Sequence, residues 1–309
     1  MSLVALGAAL ALSLTLGWAP RRLADAMRPA TAVRTLVLAG LAAALTTGFA
    51  LTDVALTAIA HDGEVAELGH WAPAALPSSG MPWQAGPPVA VAVLALLAAA
   101  VVHTLRAGHQ LWLADAWCRR LGPDDGRPVV LDDTEPRAFA VAGLRGRVVV
   151  TTAMVAALSA AERAALLAHE RAHLRHRHHV WIQLAEVSAV ANPVLRRVPA
   201  VVRLMAERWA DEDAALRTGD RLTTAEAIGH AALARTGPRR PTSAALPATG
   251  GDVPHRVQAL LRAPRHRWSA PAATLVSLLA VAVLVLTGAT ARSTEQVLEA
   301  AQSALAATR

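Results

Sequence analysis

The chain has 309 residues, 54% of them hydrophobic, yet only 3% are aromatic and there is no Tyr; alanine, valine and leucine supply most of the apolar content. Its net charge of +7 comes from arginine without any lysine, and the single Cys118 excludes an internal disulfide framework and a multi-cysteine zinc site. So apolar a composition excludes an ordinary soluble domain, and a metal, if one is bound, must be held by histidine and carboxylate.

Four stretches are apolar enough to cross a bilayer: residues 3–19, 36–60, 89–105 and 272–291. The first and third are short for a span that needs about 20 residues. No basic residue precedes the first, and Arg21 and Arg22 follow it, an order that favours an anchor over a cleavable signal peptide. The loops carry opposite charge. Arg21, Arg22, Arg28 and Arg34 oppose only Asp25 between the first two stretches, whereas the segment between the second and third has no basic residue and carries Asp62, Glu64 and Glu67. The long segment 106–267 holds 24 of the 30 arginines. Arginine accumulates in cytoplasmic loops, so the pattern predicts a multi-pass cell-membrane protein with its N-terminus outside and its large domain in the cytoplasm. The positive charge then serves topology and attraction to the lipid bilayer, and no direct nucleic-acid partner is expected. Asp53, in the second stretch, is an ionisable group at membrane depth.

After the third stretch, "LRAGHQLWLADAWCRRLG" reads as an amphipathic helix leaving the membrane. Three short strand candidates follow, "RPVVLDD", "RAFAVAG" and "RVVVTT". "SAAE" at Ser159 is a capping box, and one helix is expected from 160 to 190, where Asn192-Pro193 ends the run. Further helices are expected over 201–217 and 224–235, then an aperiodic Pro/Gly/Ser/Thr-rich stretch, "GPRRPTSAALPATGGDVP", and a short helix in "HRVQALLRAP". The expected fold is mainly α: an integral membrane protein with about four transmembrane helices and a small α+β domain inserted between the third and fourth. The chain divides into a three-helix N-terminal membrane region over 1–105, a cytoplasmic domain over 106–270, a C-terminal transmembrane helix over 271–291 and a short external tail over 292–309.

The chemistry concentrates in "LLAHERAHLRHRHH". His169, Glu170 and His173 form H-E-x-x-H, and residues four apart share a helix face, so both imidazoles can reach one zinc ion at about 2.0–2.1 Å. Glu170 lies about 100° round the helix, beside an open coordination position where it can accept a proton from water. A two-histidine site needs a third protein ligand. In "AERWADEDA", Glu207 can bind the metal, and Asp211, one turn on, can accept the outer N–H of a ligand histidine. The plainer alternatives are a histidine-rich helix near a basic membrane face and a solvated acidic helix end. His176, His178 and His179 read as a basic, membrane-proximal helix end rather than a second metal site. His230, in "AIGHAALA", is a weak candidate for stabilising an oxyanion.

The order "AFAVAG…RVVVTTAMVAALSAAERAALLAHERAHLRHRHH…NP…ERWADEDA", followed by "HRVQALL", resembles the BlaR/MecR-type integral-membrane zinc metallopeptidases, and more distantly the HtpX-type membrane peptidases. The resemblance covers about residues 136–261. It implies a zincin-like metallopeptidase domain with one zinc ion on His169, His173 and Glu207, Glu170 as catalytic base and Asp211 as the partner behind a ligand. It also implies a protein or peptide substrate, such as a BlaI/MecI-like transcriptional repressor; quality-control proteolysis and a catalytically silent signalling scaffold are the alternatives. The tail after Ala291 contains no Ser-x-x-Lys motif, so the penicillin-sensor domain of that family is absent from this reading.

Overall fold

The computed structural model describes residues 2–76, 82–122, 126–143, 146–235, 252–262 and 270–307. Helix α1 (Ser2–Trp18) is joined through the short α2 (Pro20–Asp25) to α3 (Pro29–Ile59), and α4 (Gly63–Gly69) precedes α5 (Gly86–Arg120). The strands β1 (Val129–Leu131), β2 (Ala138–Val141) and β3 (Arg147–Thr151) follow, then α6 (Thr152–Ala157), α7 (Ala160–Arg175), α8 (His178–Ala191), α9 (Val198–Thr218), α10 (Arg221–Arg235), α11 (Val253–Leu261) and α12 (Ala270–Ala307). Most of the Pro/Gly/Ser/Thr-rich stretch lies outside the described residues.

Three helices, α3, α5 and α12, are long and apolar enough to cross a membrane. The first expected span, α1, has 17 residues, about 25 Å at 1.5 Å per residue, short of a hydrocarbon core of about 30 Å. The third expected span and the amphipathic helix after it are one uninterrupted helix, α5, and the expected tail continues α12 as far as Ala307. On α5, Val91, Leu94, Leu97 and Leu105 are all more than half exposed, as a lipid-facing surface requires. By contrast α3 is mostly buried, and Asp53 is covered by α12, where the Thr294 hydroxyl donates to its Oδ1 at 2.8 Å.

The main apolar core joins the spans to the inserted region. Leu12 and Leu16 of α1, Val33 and Leu36 of α3, Ala185 of α8, Val202 and Met205 of α9 and Val276 of α12 belong to one buried cluster. The turn between α8 and α9 is pinned into it by Asn192. Its side-chain amide donates to Ser13 Oγ at 2.9 Å, and its carbonyl accepts from the Val194 N–H at 3.2 Å. Gly17 lets α1 meet this turn: a Cβ there would lie 2.3 Å from the Val194 carbonyl oxygen.

The sheet has the order β1-β3-β2, with β1 parallel and β2 antiparallel to β3. The strand in "RVVVTT" is therefore central and fully buried, whereas the strand in "RAFAVAG" has a free edge. The capping box at Ser159 and Glu162 starts α7 as expected. The helix does not run on to 190. It stops at Arg175, and Arg177 takes a left-handed conformation (φ 50°) before α8 begins. Only the first part of the expected helix thus lies along the sheet; the second turns back into the core.

Candidate metal centre

Helices α7 and α9 pack against each other through small residues: Ala168 and Ala172 on one, Ala206 and Ala210 on the other, all buried. Alanine at these positions allows close approach of the axes. It brings the Glu207 side chain to the His169–His173 face. His169 Nε2 lies 3.1 Å from His173 Nε2; Glu207 Oε2 is 3.5 Å from His169 Nε2, and Glu207 Oε1 is 3.5 Å from His173 Nε2. Three tetrahedral ligands at 2.0–2.1 Å from one ion stand roughly 3.3 Å apart, so two imidazoles and a carboxylate are spaced and chemically suited to hold zinc.

Glu170 is buried beside this triangle, between α7 and β2. Burial raises its carboxyl above the ordinary range, opposed by the charges of His169 and Arg235 and by the Ala140 N–H, which donates to it. Ala140 sits on β2. In the antiparallel pairing the Arg137 carbonyl accepts from Thr151, so residues 137, 139 and 141 pair inward, and the peptide groups of Ala138 and Ala140 face the open edge. The Ala138 carbonyl is held there by Arg235 at 3.1 Å.

Behind the triangle the two histidines are supported differently. His169 Nδ1 lies 2.9 Å from Asp211 Oδ1. Asp211 is 2% exposed and is gripped by both ends of the Arg256 guanidinium, Nε to Oδ2 at 2.8 Å and Nη2 to Oδ1 at 2.7 Å; Arg256 Nη1 also reaches Glu207 Oε2 at 2.9 Å. Burial alone would lower His169, but Asp211 and Glu207 outweigh it and raise the group to about 10. Burial likewise opposes the carboxylates, yet Arg256 and His169 hold Asp211 and Glu207 well below the usual carboxylate range. Without metal, the His169 imidazolium occupies the centre of the carboxylates. Its stabilising contribution is complete below about pH 6.5 and is lost as pH rises through about 10. A bound cation must displace that proton.

On the other side, His173 Nδ1 meets His178 Nδ1 at 3.0 Å. His178 is 1% exposed, its ring centroid 4.9 Å from that of Trp209. Burial first, then neighbouring histidines, push His173 down to about 4 and His178 down to about 3, so both are neutral at pH 7. Were Nε2 to hold a metal in the triangle, the His173 proton would lie on Nδ1, from which it would be donated to His178.

The structure thus brings together His169, His173, Glu207 and Asp211, with Glu170 beside them. The ring of His230 meets the Glu162 carboxylate of the capping box. Of the three histidines expected to form a basic, membrane-proximal helix end, two are packed into the protein. His178 is buried behind His173. His176 stacks on Trp209 with centroids 4.4 Å apart and lies 3.3 Å from Asp213, a carboxylate distant in sequence but not in space. Two residues of the site went unrecognised in the sequence. Arg256 lies in "HRVQALL", where no pattern assigns it a partner 45 residues earlier. His178 is oriented by the break at Arg177, which residue spacing on an unbroken helix conceals.

Residues 122–243 match the family model for Peptidase family M48. No curated protein and no solved structure matches the chain. The matched segment contains H-E-x-x-H, Glu207 and Asp211, and the match supports a metallopeptidase.

Proposed function

We propose that this chain is a membrane-embedded zinc endopeptidase whose site faces the cytoplasm. The observation that carries the reading is the triangle of His169, His173 and Glu207 with Glu170 buried beside its open side. His169, His173 and Glu207 would hold the zinc, which when bound would supply Lewis-acid chemistry for water activation and for the scissile carbonyl. Glu170, its proton affinity raised by burial, accepts the proton of the attacking water and delivers it to the leaving amine. Asp211 and Arg256 fix His169 and Glu207, and His178 fixes His173, so the ligands are oriented before the metal arrives.

The substrate is an extended peptide along the outer edge of β2, which lies next to Glu170. The arginines between α1 and α3, set against their absence between α3 and α5, support the cytoplasmic orientation. Regulatory proteolysis of a protein such as a BlaI/MecI-like repressor is the role that the resemblance implies.

The test is Glu170→Gln in the full-length protein in detergent, assayed on casein and on a mixture of quenched fluorescent peptides. Bound zinc is expected to stay near one per chain while hydrolysis falls by about 10²-fold or more. Undiminished hydrolysis with zinc still bound would refute the mechanism.

A further inference from the structure

Trp209 has a second neighbourhood. Besides stacking on His176, it lines a cleft of about 680 Å³ between α2, the start of α3, α9 and α11, and the Arg34 guanidinium carbon lies 5.0 Å from its ring centroid. Five arginines line this cleft against two carboxylates, Asp25 and Glu212. Arg208 lies 3.5 Å from Asp25, and Arg221 binds both oxygens of Glu212, so those charges are matched. Arg21, Arg28 and Arg262, all exposed, line the same cavity and make no ion pair among the described residues. The wall beside them is apolar: Leu204, Trp209 and Leu216, the last 80% exposed.

Three uncompensated guanidinium groups fit a phosphate, which accepts from arginine in the forked geometry that suits this side chain. The apolar wall asks for something more than a free ion. The place decides between sources: α2 links the ends of the apolar helices α1 and α3, where lipid headgroups stand. We propose that this cleft binds one anionic phospholipid, with its phosphate among Arg21, Arg28 and Arg262 and an acyl chain against Leu204, Trp209 and Leu216. The site is separate from the metal triangle but shares Trp209 with the histidines behind it, so lipid occupancy fixes the ring on which His176 and His178 rest.

The experiment uses the full-length protein in detergent micelles with matched-chain phosphatidylglycerol and phosphatidylcholine, measuring bound lipid by native mass spectrometry. Wild-type protein is expected to retain one phosphatidylglycerol in preference to phosphatidylcholine, and 10 mM inorganic phosphate, about ten-thousandfold above a micromolar dissociation constant, should not displace it. The triple variant Arg21→Gln, Arg28→Gln, Arg262→Gln should bind phosphatidylglycerol on the order of a hundredfold more weakly. Triple replacement by Lys should keep binding within about tenfold, since the charge remains and only the fork is lost. Unchanged zinc content verifies the fold of each variant; if the triple Gln variant does not fold, Arg28→Gln alone should weaken binding about fivefold. Equal retention by the Gln variants, no preference between the two lipids, or displacement by inorganic phosphate would each overturn the proposal.

Discussion

The two histidines of H-E-x-x-H sit one helical turn apart and would serve the same ion, yet the molecule supports them by opposite means. Behind His169 is charge: the buried Asp211, itself clasped by the partly buried Arg256. Behind His173 is a neutral, aromatic stack of His178 on Trp209. The charged side raises the affinity of its histidine for a proton, and the neutral side lowers it. A site built this way has one ligand pulled toward positive charge by electrostatics and another merely held in orientation. Loss of support should therefore cost more on the Asp211 side.

The largest effect is expected from Arg256→Gln. Arg256 is the common partner of Asp211 and Glu207, and its removal leaves the buried Asp211 and the partly exposed Glu207 without their shared guanidinium. Breaking a buried pair from one side costs about 3–5 kcal/mol. The loss should be greatest in the metal-free protein, where the His169 imidazolium is the one cation left to the two carboxylates. Adding Asp211→Asn to the Gln variant removes one of the stranded charges and should recover part of the stability, which a double-mutant cycle on thermal unfolding reads directly. Strict additivity of the two substitutions would break the comparison, because it would mean that Arg256 and Asp211 do not act as a unit.

The neutral side predicts a smaller and different loss. His178→Phe keeps the ring on Trp209 but leaves the Nδ1–H of His173 without an acceptor. Zinc affinity, measured by competition with a chelator, should fall by about 10–100-fold, the usual cost of losing the group behind a ligand histidine, with little change in the stability of the metal-free protein. His178→Gln, which can still accept, should recover part of the affinity. If His178→Phe and Arg256→Gln destabilised the metal-free protein equally, the division into charged and neutral sides would be wrong.

The contrast also shows what could be read from residue order. H-E-x-x-H and Glu207 with Asp211 are legible because each depends on one helical turn, a geometry that sequence fixes locally. The existence of three long apolar helices and a small sheet was equally legible from hydropathy and alternation. The support behind the ligands was not. Arg256 reaches Asp211 only because α11 returns to α9, and His178 faces His173 only because Arg177 adopts a left-handed conformation that spacing does not encode. The length of α5 escaped for a related reason: a change from apolar to amphipathic character suggests a boundary, yet helical hydrogen bonding continues through it.

Burial, rather than charge alone, is what distinguishes the Asp211 side, and Asp213 two residues on provides the control. It meets Arg175 and Arg217 as well as His176, so it does not lack cationic neighbours, but the two arginines are a third to a half exposed. Water screens such pairs, and Asp213→Asn should cost no more than about 1 kcal/mol and leave zinc affinity unchanged. The pH dependence carries the sign of the effect. Despite some desolvation, His176 and Arg175 hold Asp213 below its ordinary value of 3.8, so its contribution is present above that pH and is lost as the solution is acidified through the lower, folded value. Thermal unfolding curves of wild type and Asp213→Asn should therefore differ slightly at pH 7 and converge in acid. A loss at pH 7 as large as that of Arg256→Gln would mean that the exposed pairs, and not the buried clasp, hold α7 against α9.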